Sequence, residues 1–336
     1  MERNQGHKTP VRFSINTREA KHNHRPQRKD RISPIDVELK LGWDQANRKS
    51  VALKTFTTYP YIFDHHPCRQ LVEFEIKSMD RVSSHDNIVR LVDVMVRSPS
   101  NVCLVMEAAA ASRGNLMETI AAAPEGRLSQ VATRFYLSQL LDAVQHCHAS
   151  GVCHRDIQPQ HLLVDARSGN MKLSSFGRAG LWDTTKGDAA DLAYASSAPD
   201  LTHAAPEVLK GSTYCGKAAD CWSMGAVLFT MLAGFSPFKT DGAEMEVCDP
   251  CFQSPRWVSP LARSLLVGMM EPDPEKRFTV ADIRSHPWLV GERGGDRMKQ
   301  VGSSFVSGSS SSGDDGDIED STNGSDNSLS SSDGER

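Results

Sequence analysis

Residues 151–165 read Gly-Val-Cys-His-Arg-Asp-Ile-Gln-Pro-Gln-His-Leu-Leu-Val-Asp, and the rest of the chain is organised around them. The layout is His154-Arg155-Asp156, a polar residue five positions on at His161, then the apolar run Leu162-Leu163-Val164. Ahead of it Phe135, Leu137, Leu140, Leu141, Val144 and Cys147 recur close to helical period within 131–149, and Gly151 supplies a helix stop. Beyond it, residues 218–234 are apolar around the whole circumference, which predicts a helix buried on every side rather than an amphipathic surface helix. Further helices are expected at 260–270 and 280–285, the second closed by His286-Pro287-Trp288. A chain of 336 residues can bury a core of that size as one large domain or two joined lobes.

Upstream the periodicity changes. Val37 to Leu41 alternates like a strand, 42–50 is turn-rich, and Val51 to Phe56 reads as the next strand. Leu71, Val72, Ile76, Met79 and Val82 mark a helix, with strands expected at 87–96 and 102–106. The fold class is therefore α+β, with a small strand-rich first lobe at 30–106 and a larger helical second lobe at 107–290.

The two ends differ from this body and from each other. Residues 1–29 carry Arg3, Lys8, Arg12, Arg18, Lys21, Arg25, Arg28 and Lys29 with few apolar residues, so a disordered basic arm is expected. Residues 291–336 are rich in Ser, Gly and Asp, including Asp314, Asp315, Asp317, Glu319 and Asp320, and read as a disordered acidic tail. Ser311 and Ser332, each three residues before an acid, are candidate phosphate acceptors there. A net charge of -4 gives no reason to expect nucleic acid as a partner. No apolar run approaches the ~18 residues of a membrane span, and the polar, His-rich start is not a secretory signal. Eight scattered cysteines in mostly apolar surroundings suggest a reducing compartment, and we expect a cytoplasmic and/or nuclear protein. Cys248 and Cys251 form a Cys-x-x-Cys without a second pair or a nearby His, so no metal site is expected.

Several motifs in order now carry a resemblance. From about Ile32 to Leu289 the chain resembles a eukaryotic Ser/Thr protein kinase domain, and most resembles the calcium/calmodulin-dependent and AMP-activated group, notably the plant calcineurin-B-like-interacting kinases. The resemblance implies a two-lobed fold and ATP as cofactor. Lys54, in Val51-Ala52-Leu53-Lys54, matches the strand lysine that holds the ATP phosphates, and Glu75 matches its ion-pair partner, with Glu73 competing for that role. Ala52 and Leu163 fall where the adenine ring is sandwiched, and Met106-Glu107 where gatekeeper and hinge lie. Asp156 matches the base that accepts the substrate hydroxyl proton, and Arg155 the arginine that pairs with a phosphorylated activation segment. His154, Phe176, Met79 and Leu91 match a stacked spine, Glu207 and Arg277 a buried ion pair, and Asp220 the aspartate that ties the buried helix to the catalytic loop.

The departures from that pattern concern the chemistry. Ser175, in Ser174-Ser175-Phe176-Gly177, stands where the metal-binding aspartate belongs, and a neutral hydroxyl supplies neither charge nor chelation to a hard cation. His161 replaces the second metal ligand, and imidazole suits transition metals better than magnesium. Gln158 replaces the lysine that neutralises the transferring phosphoryl group. With Val37 aligned on the valine after the glycine-rich loop, Asp30, Ile32 and Ile35 occupy the glycine positions. Asp200, in Pro199-Asp200-Leu201-Thr202-His203, replaces the usual threonine context before Ala205-Pro206-Glu207, and Thr184, Thr185, Ser196 and Ser197 are candidate phosphorylation sites.

These losses predict a pseudokinase: a scaffold or allosteric regulator in phosphorylation signalling with weak or metal-independent ATP binding, protein partners and no membrane span. The loss of both ligands counts against Mg or Mn. The alternative is an active Ser/Thr kinase with atypical metal use, in which Asp156 is the base and Lys54 the phosphate clamp. A third possibility is an interaction module that binds no nucleotide.

Overall fold

The computed structural model describes residues 13–14, 35–58, 67–98, 100–108, 114–165, 167–182, 203–210, 213–238 and 255–291. The smaller lobe is an antiparallel sheet in the order β1-β2-β3-β5-β4. Its strands are β1 (Phe13–Ser14), β2 (Ile35–Asp44), β3 (Lys49–Thr58), β4 (Leu91–Ser98) and β5 (Asn101–Glu107). Among the described residues of this lobe, one helix, α1 (Pro67–Val82), packs against it.

The sheet departs from the sequence reading in two places. Phe13–Ser14, in the arm expected to lie outside the fold, pairs with Trp43 and Asp44 as an edge strand. The stretch 42–50, expected as turn, is mostly strand, because the alternation Val37, Leu39, Leu41 continues through Trp43 and holds the backbone extended. Gly42 is there for close packing, since a methyl at its Cα would sit 2.9 Å from Leu53 Cδ1. The turn shrinks to residues 45–48, where the Asp44 carboxylate accepts from the backbone N–H of Ala46 and Asn47 and from Asn47 Nδ2.

Register fixes the two faces of this sheet. Leu41 lies opposite Ala52 and Leu39 opposite Lys54, so the β2 stripe shares its face with these two residues. The opposite face carries Val51, Leu53, Cys103 and Val105, which form a separate buried cluster.

The larger lobe is built on α3 (Gln130–Ala149) and α5 (Gly216–Ala233). Ser129 caps α3 by accepting from Ala132 N–H, and Gly151, at φ 73°, turns the chain out of it. All residues of α5 except Lys217 and Ala218 are buried, as its all-round apolarity predicts, and Gly234 closes it at φ 86°. Around this pair lie α2 (Leu116–Ala121), α4 (Pro206–Leu209), α6 (Pro260–Met269), α7 (Val280–Ser285) and α8 (Pro287–Val290). Short strands β6 (Gly114–Asn115), β8 (Leu162–Val164) and β9 (Met171–Leu173) form one small sheet, and β7 (Val152–Cys153) pairs with β10 (Gly180–Leu181). Leu173 bridges to Ile88 and accepts from Val89 N–H, which ties the floor of the larger lobe to the segment entering β4. One core cluster runs through both lobes, from Phe56 and Met79 to Trp288 and Leu289.

Candidate functional site

The site lies between the two lobes, where β3, α1, the loop after β7 and the segment after β9 converge. From above, β3 delivers Lys54, whose Nζ stands 2.6 Å from Glu75 Oε1 on α1. Glu75 is 2 % exposed, so the pair is held out of water on the carboxylate side. Glu73 is not the partner: it faces outward and pairs with Lys77 one helical turn on. Ala52 shares the Lys54 face through its register with Leu41 and Met106. From below, Leu162 and Val164 are buried and Leu163, between them, is turned to the other face. Glu107 uses its carboxylate differently from a nucleotide contact: it accepts from Arg90 N–H at 2.9 Å and pairs with Lys172 at 2.9 Å.

The loop carrying His154-Arg155-Asp156 is anchored from beneath by Asp220 on α5. One carboxylate oxygen accepts from His154 N–H at 2.9 Å and His148 Nε2 at 2.8 Å, the other from Arg155 N–H at 2.7 Å. Burial alone raises the pKa of this carboxyl, but the hydrogen bond and charge of His148, with the Arg155 N–H, outweigh it and hold Asp220 below the ordinary aspartate value. His154 is fully buried, and desolvation lowers its pKa. The neutral ring donates from Nε2 to Ser174 O at 2.8 Å and accepts Asp156 N–H at Nδ1. Its centroid lies 4.8 Å from that of Phe176, edge to face, with Met79 buried and Leu91 packed in the same core. The Arg155 guanidinium lies against Gly180, where a methyl on Cα would fall 1.6 Å from Nη2. Arg277 grips Glu207 with two nitrogens at 2.6 and 2.9 Å, which fixes the end of the segment that begins at Phe176.

The centre of the site is Asp156, and its carboxylate is engaged by its own neighbours. Gln158 Nε2 donates to Oδ1 at 3.1 Å. Arg178 Nε stands 3.4 Å from Oδ2, and His161 Nδ1 stands 3.5 Å from the same oxygen. That His161 nitrogen lies 2.8 Å from Asp156 O, a carbonyl that only accepts, so it carries the proton. Ser175 adopts φ 68°, ψ 61°, a left-handed conformation uncommon for serine. Neither Ser175 nor His161 presents an anionic oxygen, and a hard divalent cation takes its ligands from such oxygens. Lys54, Ala52, Met106 and Leu163 do fit a nucleotide: a cation for phosphate and apolar surfaces above and below a ring.

One other group among the described residues has the composition of a metal site: His148, Cys153 and Asp220, with ligand atoms within 4.8 Å of one another. Both Asp220 oxygens are already spent on the His154–Arg155 backbone and on His148, so the group anchors the loop. Three partnerships were not foreseen from sequence: His148 with Asp220, Lys172 with Glu107, and Arg178 with Asp156. Arg178 alone had a signal, a basic residue directly after Phe176-Gly177. The expected glycine-loop substitutes Asp30 and Ile32, the candidate phosphorylation sites, Asp200, Cys248, Cys251 and the acidic tail lie outside the described residues.

A strand lysine paired to a helix glutamate over a His-Arg-Asp loop, with a buried helix beneath, defines the class. The chain belongs to the protein kinase domain family, whose model matches residues 38–289. Within that family it is similar to CBL-interacting protein kinase 4 of Oryza sativa subsp. japonica, at 40% identity over 64% of this chain and 46% of that protein. It is also similar to CBL-interacting serine/threonine-protein kinase 26 of Arabidopsis thaliana, at 33% identity over 79% of this chain and 61% of that protein. The chain thus spans about half the length of the curated relatives it matches.

Proposed function

We propose that this chain is a pseudokinase, a kinase-fold domain that binds ATP without depending on a metal and acts through protein partners. The observation that carries the reading is the pair at the metal position, Ser175 and His161, beside an Asp156 whose carboxylate already faces Gln158, His161 and Arg178. Phosphoryl transfer relies almost wholly on positioning and charge stabilisation, so absent charges cannot be made up by covalent chemistry. Losing one electrostatic stabiliser costs about 10²–10³ in rate. Two metal ligands and the loop lysine together reduce turnover to near background even where the losses are not additive. What remains intact is the binding frame: Lys54 paired with Glu75 would hold phosphate, Ala52 and Leu163 would enclose the base, and bound ATP would supply a polyphosphate that orders the cleft. The curated relatives are named for interaction with CBL, which supports protein partners for this chain.

The rival reading is an active Ser/Thr kinase with atypical metal use. It is favoured by the relatives, which are named kinases, and by the joined Lys54–Glu75 pair and the edge-to-face His154–Phe176 rings. Thermal denaturation of the full chain against ATP, with EDTA, magnesium or manganese, separates the two. Stabilisation follows RT ln(1 + [L]/Kd), so a rise in Tm of equal size in all three conditions is the expected result. A rise that needs metal supports the active kinase, and no rise in any condition leaves an interaction module that binds no nucleotide.

A further inference from the structure

We propose that Arg178 takes over the charge role of the missing metal and makes this cleft a site for metal-free nucleoside polyphosphates. The inference rests on the reading above, that the cleft still accepts a nucleotide. Two carboxylates border the site, Glu75 on the upper side and Asp156 on the lower, and each has a cation beside it. Lys54 stands 2.6 Å from Glu75, and Arg178 Nε stands 3.4 Å from Asp156 Oδ2. The backbone carries the second cation past the first pair: Gly177 lies so close to Glu75 that a methyl on its Cα would stand 3.1 Å from Oε2, and Arg178 is the next residue. Lys54 thus stands beside Glu75, Arg178 stands beside Asp156, and the segment bearing Arg178 passes Glu75 at Gly177.

That space is also poorer in negative charge than an aspartate at 175 would make it. With serine there, no acid among the described residues 174–182 opposes an incoming polyphosphate, and none on that stretch needs a metal to offset it. A guanidinium suits the replacement role. It stays charged at any working pH, presents five donors in a planar fork, and can exchange carboxylate partners for phosphate oxygens when a nucleotide binds. An ammonium or imidazole does not offer that geometry. Gln158 is consistent with the same exchange, because it binds Asp156 at 3.1 Å as a neutral donor where the pattern has a lysine, leaving the lower cation to come from 178.

The test is titration of the full chain, in EDTA, with ATP and separately with adenosine, for the native protein, Arg178→Ala, Arg178→Gln and Lys54→Ala. Arg178→Gln keeps a donor for Asp156 and guards against a variant that fails to fold. Charge-assisted bonds to phosphate predict that both Arg178 variants lose about 10- to 100-fold in ATP affinity and leave adenosine affinity unchanged. Magnesium added to the native protein leaves ATP affinity the same within about twofold, since the cation role is already filled. Unchanged ATP affinity in the Arg178 variants, with ATP binding lost in Lys54→Ala, overturns the inference and leaves the proposed function standing. Parallel losses for ATP and adenosine show Arg178 to be structural and also overturn it, as does a tenfold or greater tightening of ATP by magnesium. Absence of ATP binding by the native chain overturns both readings together.

Discussion

Ser175 sits in a left-handed conformation at φ 68° that disfavours any residue with a Cβ, so the backbone there is held by its surroundings rather than by local preference. Ser174 on one side bonds His161 O, and Phe176 on the other is buried against His154. Ser175→Gly removes the steric penalty, and urea denaturation is expected to show a gain of about 0.5–1 kcal/mol, offset in part by the extra freedom of glycine in the unfolded chain. A loss of stability would mean the serine hydroxyl contributes more than its backbone costs. The buried imidazole makes a second residue-scale prediction. Burial is the main cause that lowers the pKa of His85, His154 and His286 from 6.5 in the folded state. The unfolded chain then binds more protons once the pH falls below about 6.5, so stability is complete above that value and is lost as pH falls through 6.5 toward the folded-state values. Asp220, with a folded pKa below 3.8, keeps its contribution until the pH drops under that value. The Tm is expected to be level from pH 8 to 7 and to decline below 6.5, with a shallower decline in His154→Phe. A Tm that rises on acidification would reverse the sign and contradict the assignment of a neutral His154.

At the level of elements, the long helices were readable because their signals are local. The circumference of α5 and the cap and period of α3 depend on residues that are neighbours along a helix. The hairpin of β2 and β3 was less so, because Gly42 carries a turn signal and is instead a packing residue. A methyl there meets Leu53, and Gly42→Ala is expected to cost about 1–3 kcal/mol in thermal or urea unfolding. A neutral result would show that Leu53 moves aside freely. The site followed the same division. Lys54 pairs with Glu75, Asp220 holds the loop that carries Asp156, and Arg277 pairs with Glu207, and each of these residues belongs to a motif with its own spacing. The pairs of His148 with Asp220 and Lys172 with Glu107 join elements far apart in sequence, and no period or motif records such an encounter. The Glu207–Arg277 pair anchors α4 to the larger lobe, and Arg277 is 4 % exposed. Arg277→Ala leaves a half-buried carboxylate without its partner, at an expected cost of about 3–5 kcal/mol. A loss under about 1 kcal/mol would show that the pair behaves as a surface ion pair.

In the proposed reading, the whole molecule keeps the frame of a kinase and gives up its chemistry. The spine of His154, Phe176 and Met79, the anchor at Asp220 and the Lys54–Glu75 pair join the lobes, while Ser175 and His161, which carry no anionic oxygen, are the residues on which the proposed loss of magnesium-dependent transfer rests. A scaffold that keeps its shape without turnover can still respond to a nucleotide and present that response to a protein partner. The most direct test is phosphotransfer and ATP turnover by the purified full chain, with magnesium and with manganese, beside the double variant Ser175→Asp, His161→Asn. The account predicts turnover at background for the native chain with either metal, and a measurable, magnesium-dependent gain in the variant. Native turnover in the range of about 1–100 s⁻¹ that active protein kinases reach would contradict it.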